Sequence, residues 1–133
     1  MLDLSETRLR TTMSNVSAAL LLAASAVLMG ISNLCLKTSV GRAQSSATTI
    51  SFLLNVFRQP VFIVGFLLFA AASLAYMRVL TSISLSTAYP VFVSIAFAVV
   101  AVGAAIAFGE RLTAAKLLGS FLLLAGIFFI SRG

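Results

Sequence analysis

The chain reads as long apolar stretches separated by short polar ones. Four runs carry most of the apolar residues, at 16–36, 61–80, 87–108 and 113–130. Each is close to the ~20 residues with which an α-helix crosses ~30 Å of hydrocarbon. None follows the two-residue alternation of a membrane β-strand, which excludes a barrel. Backbone groups in lipid must bond within their own segment, and helices meet that demand. The pattern predicts an all-α membrane protein, a bundle of four transmembrane helices with a short interfacial helix before the second.

The connecting segments refine this outline. Residues 1–15 read as a polar tail with Arg8 and Arg10 close to the membrane, and 16–133 as one transmembrane domain. The first helix is expected to end at Lys37, whose stem can lie along apolar surface while its ammonium reaches the headgroups. A polar loop follows over 38–49, with Gly41 as a breaker. In ISFLLNVFRQP, Phe52, Leu53, Val56 and Phe57 share one helical face and Asn55 and Arg58 another. That is a short amphipathic helix ahead of Pro60; a re-entrant insertion or the start of a tilted second span are the alternatives. Arg78, near the end of the second span, either snorkels or faces a cargo. A tight turn over 82–86 offers Ser84, Ser86 and Thr87 as N-caps for the third helix. Ser94, Ala98, Ala101 and Ala105 give that helix a smooth face. Ala115, Gly119, Leu122 and Gly126 form a stripe on the fourth. Small residues admit close backbone approach in lipid, so the stripe of Ala115, Gly119 and Gly126 is expected to hold a second subunit in a dimer, with packing inside the four helices as the alternative.

Composition narrows the function. Hydrophobic residues make up 61% and charged ones 9%, against about a quarter charged in soluble domains, so lipid is the main solvent. The net charge of +6 is spread over helix ends and forms no basic face for nucleic acid. With the amino terminus inside, Arg8, Arg10, Arg78 and Arg132 face Lys37, Arg42, Arg58, Arg111 and Lys116 across the membrane, which leaves almost no positive-inside bias. The first run is too long for the ~7–15-residue core of a signal peptide. One cysteine, Cys35, and no histidine exclude an intrachain disulfide, a cysteine metal cluster and imidazole chemistry; no cofactor or metal is expected, and the chain is not read as an enzyme. The acids are Asp3, Glu6 and Glu110, in the tail and a loop. None lies within an apolar run.

Phe108-Gly109-Glu110-Arg111-Leu112-Thr113, followed by Leu118-Gly119 and Ala125-Gly126, resembles the Gly-Glu-Arg loop and final helix of the small multidrug resistance proteins and the wider drug/metabolite transporter superfamily. Leu36-Lys37 and Ala88-Tyr89 resemble the end of their first helix and a pair in their third. The resemblance implies a small multidrug resistance-like bundle, dimeric, in a bacterial inner membrane. It departs at one place. Those exporters depend on a first-helix glutamate that exchanges protons for a cationic drug, and Met29 stands at that position here.

Leu85-Ser86-Thr87-Ala88-Tyr89-Pro90 and the segment from Gly30 to Lys37 are similar to the aminoarabinose–undecaprenyl phosphate flippase subunits. That branch implies an anionic polyprenyl-phosphate-linked sugar as cargo. Such a lipid needs no buried acid, and one would repel it. It needs donors in a groove and basic residues at the rim. Asn33, Tyr76 and Tyr89 are the candidate donors, and Lys37, Arg58 and Arg78 the candidate rim. Asn33 serves equally as a helix–helix hydrogen bond, and the tyrosines as an interfacial belt. Three readings stand: a lipid-linked sugar flippase or its subunit, an exporter of another small polar solute or cationic drug, and a non-transporting subunit of a glycosyltransferase complex.

Overall fold

The computed structural model describes residues 3–43, 48–111 and 113–132. Five helices follow one another: α1 (Asp3–Ala43), α2 (Thr49–Arg58), α3 (Pro60–Val79), α4 (Leu85–Phe108) and α5 (Ala114–Arg132). There is no strand among the described residues. Three of the helices are long and apolar enough to cross a membrane: α1 over Asn15–Ala43, α3 and α4. The apolar part of α5, Ala114–Ile127, is shorter.

α1 departs from the expectation at both ends. Its backbone is helical from Asp3, so the polar tail continues the first span. It also runs past Lys37 to Ala43, over a segment expected to be loop; 44–47 lie outside the described residues. The cause is local. Thr38 Oγ1 donates to the Leu34 carbonyl at 2.9 Å and Ser39 Oγ to that of Cys35 at 3.0 Å, so both hydroxyls bond back into the helix. Gln59 Nε2 then holds the Ser39 carbonyl at 3.2 Å, and Ala43 is buried. With these anchors Gly41 does not break the helix.

The amphipathic α2 turns its Val56 inward. Gln59 is extended (φ −78°, ψ 130°), a conformation that the ring of Pro60 favours in the preceding residue. Pro60 then opens α3 at a position where no N–H is required. Ser84 is the N-cap residue of α4, and Pro90 lies inside that helix. Ser94 Oγ donates to the Pro90 carbonyl at 2.9 Å. Gly109 ends α4 in the left-handed region, φ +64°, a conformation that costs a glycine little.

α1 lies between α3 and α4, and α5 packs against α4 at the edge of the bundle. Leu22, Ala26, Val79, Ala88 and Phe92 form the core, with Met29, Tyr76 and Ile95 packed on it. α1 approaches its neighbours through small residues: Ala18, Ser25, Ala26, Ser32 and Ser39 are all buried. Ser32 Oγ donates to the Gly65 carbonyl at 2.8 Å. A Cβ on Gly30 would stand 2.6 Å from the Cβ of Val99, and one on Gly65 2.9 Å from that of Cys35; Gly103 lies as tightly against Leu34. The face of α4 turned to α1 is therefore Ala88, Phe92, Ala96, Val99 and Gly103. The expected smooth face is divided: Ser94 is buried and Ser94 and Ala101 border α5, while Ala98 is exposed.

Candidate functional site

The seam between α4 and α5 is open. Its central cavity, about 520 Å³, is walled by Tyr89, Pro90, Val93 and Ser94 from α4 and by Gly119, Leu122, Leu123, Gly126 and Ile127 from α5. Nothing lies within 4 Å of a Cβ built on Gly119 or Gly126. At one end a hollow of about 400 Å³ borders Leu85, Ser86, Tyr89 and Pro90. Toward the other end a recess of about 190 Å³ borders Phe97, Ala101, Ala104, Glu110, Lys116 and Ser120. The antiparallel helices thus leave a mainly apolar fissure at the centre of their contact and a separate recess at the Glu110 end.

The serine hydroxyls in this wall are already engaged: Ser94 with the Pro90 carbonyl, and Ser120 with the Lys116 carbonyl at 2.8 Å. The carboxylate at the end of the fissure, Glu110, is also engaged. It pairs with Lys37 and reaches Lys116 at 3.8 Å. The Lys37 ammonium lies 4.6 Å from the centre of the Phe108 ring, a cation–π distance. One residue of the α4–α5 loop therefore ties the end of α1 to the start of α5.

The expected cargo residues are divided among several surfaces. Tyr89 is exposed at the mouth of the seam, and Ala115 is exposed at the start of α5. Asn33 is exposed on α1 and Arg58 at the end of α2. Lys37 and Arg58 belong to one end of the bundle, and Tyr76 and Arg78 to the other, most of the length of α3 away. Tyr76 packs against Phe92 with ring centres 4.5 Å apart and the rings tilted by 39°, and its hydroxyl is buried with no partner among the described residues. Arg78 opens onto a separate groove between α1 and α3. Glu110 was missed as a site residue. The Phe-Gly-Glu-Arg segment was its signal in the sequence, but its partners lie on other helices.

The family model described as "Putative transmembrane family 234" matches residues 20–131. The chain belongs to transmembrane family 234. The match takes in all four apolar runs from Leu20 onward, and the protein is a multi-pass membrane protein. Another similar chain is "Uncharacterized protein y4nH" of Sinorhizobium fredii (strain NBRC 101917 / NGR234), 33% identical over 103 residues, which is 77% of this chain and 85% of the relative. No solved structure matches the chain.

Proposed function

We propose that this member of transmembrane family 234 is a transporter of the small multidrug resistance-like class in a bacterial cytoplasmic membrane. Its cargo is an anionic polyprenyl-phosphate-linked sugar, moved as a flippase or as one subunit of a flippase. α5 is then the fourth span: its 19 residues extend about 28 Å at the rise of an α-helix.

The observation that carries the reading is the α4/α5 seam. Its central cavity is mainly apolar, and the carboxylate described beside it, Glu110, is held by two lysines in a separate recess at one end. A prenyl chain fits such a wall, because the groove gives it apolar contact while its headgroup stays at the polar margin. A cation would find no desolvated acid there to bind it or to carry a proton. Tyr89 at the mouth is the residue we assign to the headgroup. A second subunit, identical or paralogous, lies along α5, so that Ala115, Gly119 and Gly126 border both the subunit contact and the cargo path.

The test follows a labelled undecaprenyl-phosphate sugar across reconstituted vesicles, with a quaternary-ammonium resistance assay in cells beside it. Translocation of the lipid without cation resistance supports the reading. Cation resistance without lipid movement, alone or with a paralogous partner, would overturn it.

A further inference from the structure

The α1/α3 groove at Arg78 lies on a different seam from the one just described. It measures about 630 Å³ and is walled by Leu21 of α1 and by Leu74, Ala75 and Met77 of α3, with Arg78 and Thr81 at its polar end. Leu21, Leu74 and Met77 are all exposed. Arg78 is the penultimate residue of α3, so its guanidinium stands at headgroup depth while the apolar wall lies deeper. Thr81 Oγ1 donates to the Arg78 carbonyl at 2.7 Å. That bond caps the helix end and fixes the backbone from which the arginine projects.

Among the described residues this guanidinium forms no ion pair. Glu110 is held at the opposite end of the bundle by Lys37 and Lys116. Glu6 and Asp3 lie more than four turns of α1 beyond Leu21, over ~22 Å along the helix. The result is an apolar groove ending in a positive charge. A membrane offers one abundant molecule with the complementary layout, a phosphate above acyl chains.

We propose that this groove binds an anionic phospholipid of the surrounding leaflet. Arg78 holds the phosphate through the planar two-pronged geometry that guanidinium offers. Leu21, Leu74 and Met77 receive an acyl chain. The site does not depend on the transport reading, since a bound lipid of this kind would support the α1/α3 contact in any membrane protein.

The sequence contains no tryptophan, so Leu74→Trp or Met77→Trp installs a single fluorescent reporter in the wall. Each reporter protein goes into phosphatidylcholine vesicles carrying a minor fraction of either dibrominated phosphatidylglycerol or dibrominated phosphatidylcholine. The expected result is stronger quenching by the brominated phosphatidylglycerol. Arg78→Gln should reduce the apparent preference roughly fivefold, the factor for one basic residue near an anionic surface. Arg78→Lys should retain part of the preference, Arg111→Gln all of it, and inorganic phosphate should not compete. Equal quenching by the two lipids in both reporters overturns the proposal. So does a preference that survives Arg78→Gln, competition by inorganic phosphate, or a reporter shielded from both lipids, the last pointing to a second protein chain over the groove.

Discussion

Lys37, near the end of the apolar part of α1, forms an ion pair with Glu110, 73 residues further along the chain. The pair ties the central helix to the loop that launches the edge helix α5, and Lys116 adds a weaker second contact at 3.8 Å. Both side chains are partly exposed, at 48% and 38%, which puts the pair among those worth ~0.2–1 kcal/mol rather than among buried ones. A double-mutant cycle of Lys37→Met and Glu110→Gln in thermal unfolding should give a coupling in that range, shrinking as salt is added. A coupling of several kcal/mol that ignores salt would mean the pair is shielded from water.

The glycines divide into two kinds by what a side chain would meet. Gly30 faces the Cβ of Val99, which cannot move without its backbone, whereas Gly103 faces the flexible end of Leu34. Gly30→Ala should therefore destabilise the protein by about 1–3 kcal/mol, the usual cost of overpacking. Gly103→Ala should cost less, because the leucine can change rotamer. Gly119→Ala meets open space and should be neutral or slightly stabilising through helix propensity. Unfolding midpoints of the three variants check the order, and Gly119→Ala proving the worst would show the seam to be tightly packed in the membrane.

How much of this was legible follows from the kind of signal each feature leaves. α3 and α4 match the runs at 61–80 and 87–108 to within two residues, because their ends carry local punctuation: Pro60, the 81–84 turn and Gly109. α2 was legible from the spacing of Phe52, Val56 and Phe57 ahead of a proline. The extension of α1 was not, since Thr38 and Ser39 read as loop residues until their hydroxyls bond back to Leu34 and Cys35. The tight helix contacts within the chain were not legible for a related reason. A run of small residues shows that close approach is allowed, but not which face uses it. Gly30, Gly65 and Gly103 make the close contacts within the chain, while the more regular Gly119 and Gly126 border a gap. The contact of Lys37 with Glu110 depends on tertiary packing, which no local pattern encodes.

Tyr76 combines a packed ring with an unpartnered buried hydroxyl. Tyr76→Phe keeps the packing on Phe92 and removes the hydroxyl, so folding stability should stay level or rise by up to about 1–3 kcal/mol, the range for relieving an unsatisfied buried group. Thermal unfolding in detergent measures this. A clear loss of stability would mean that the hydroxyl has a partner in the membrane-embedded protein.

Met29 packs on the same core cluster as Tyr76. Met29→Glu would place a carboxyl among Leu22, Ala26 and Phe92, where a charge costs roughly 2.5–3.5 kcal/mol at bilayer centre. The variant should yield less folded protein and move the polyprenyl-phosphate sugar more slowly, because the carboxyl disturbs the core on which α4, one wall of the seam, is packed. It should also confer a weak response to hydrophobic cations, having regained the acid on which the exporters rely. Lipid transport at the native rate, with folded protein at the native level, would show that the core at Met29 does not influence the cargo.

Gly126 decides whether the seam is a path. Its Cβ position is open, and the cavity it borders is about 520 Å³, so a leucine there can be accommodated by filling the space rather than by displacing α4. Gly126→Leu should insert and fold as the native chain does, yet slow lipid translocation by about tenfold or more, the rate effect of adding ~1.4 kcal/mol to a barrier. Gly41→Leu, at another exposed glycine with open space around it, controls for the added bulk and should translocate normally. Crosslinking along α5 separates the two roles given to this face. If Gly126→Leu abolishes the crosslinked pair together with transport, the glycine serves the subunit contact. If the pair persists while transport fails, the leucine has closed the path. Normal transport in Gly126→Leu would remove the seam as the route, since a prenyl chain and a leucine cannot share the same space.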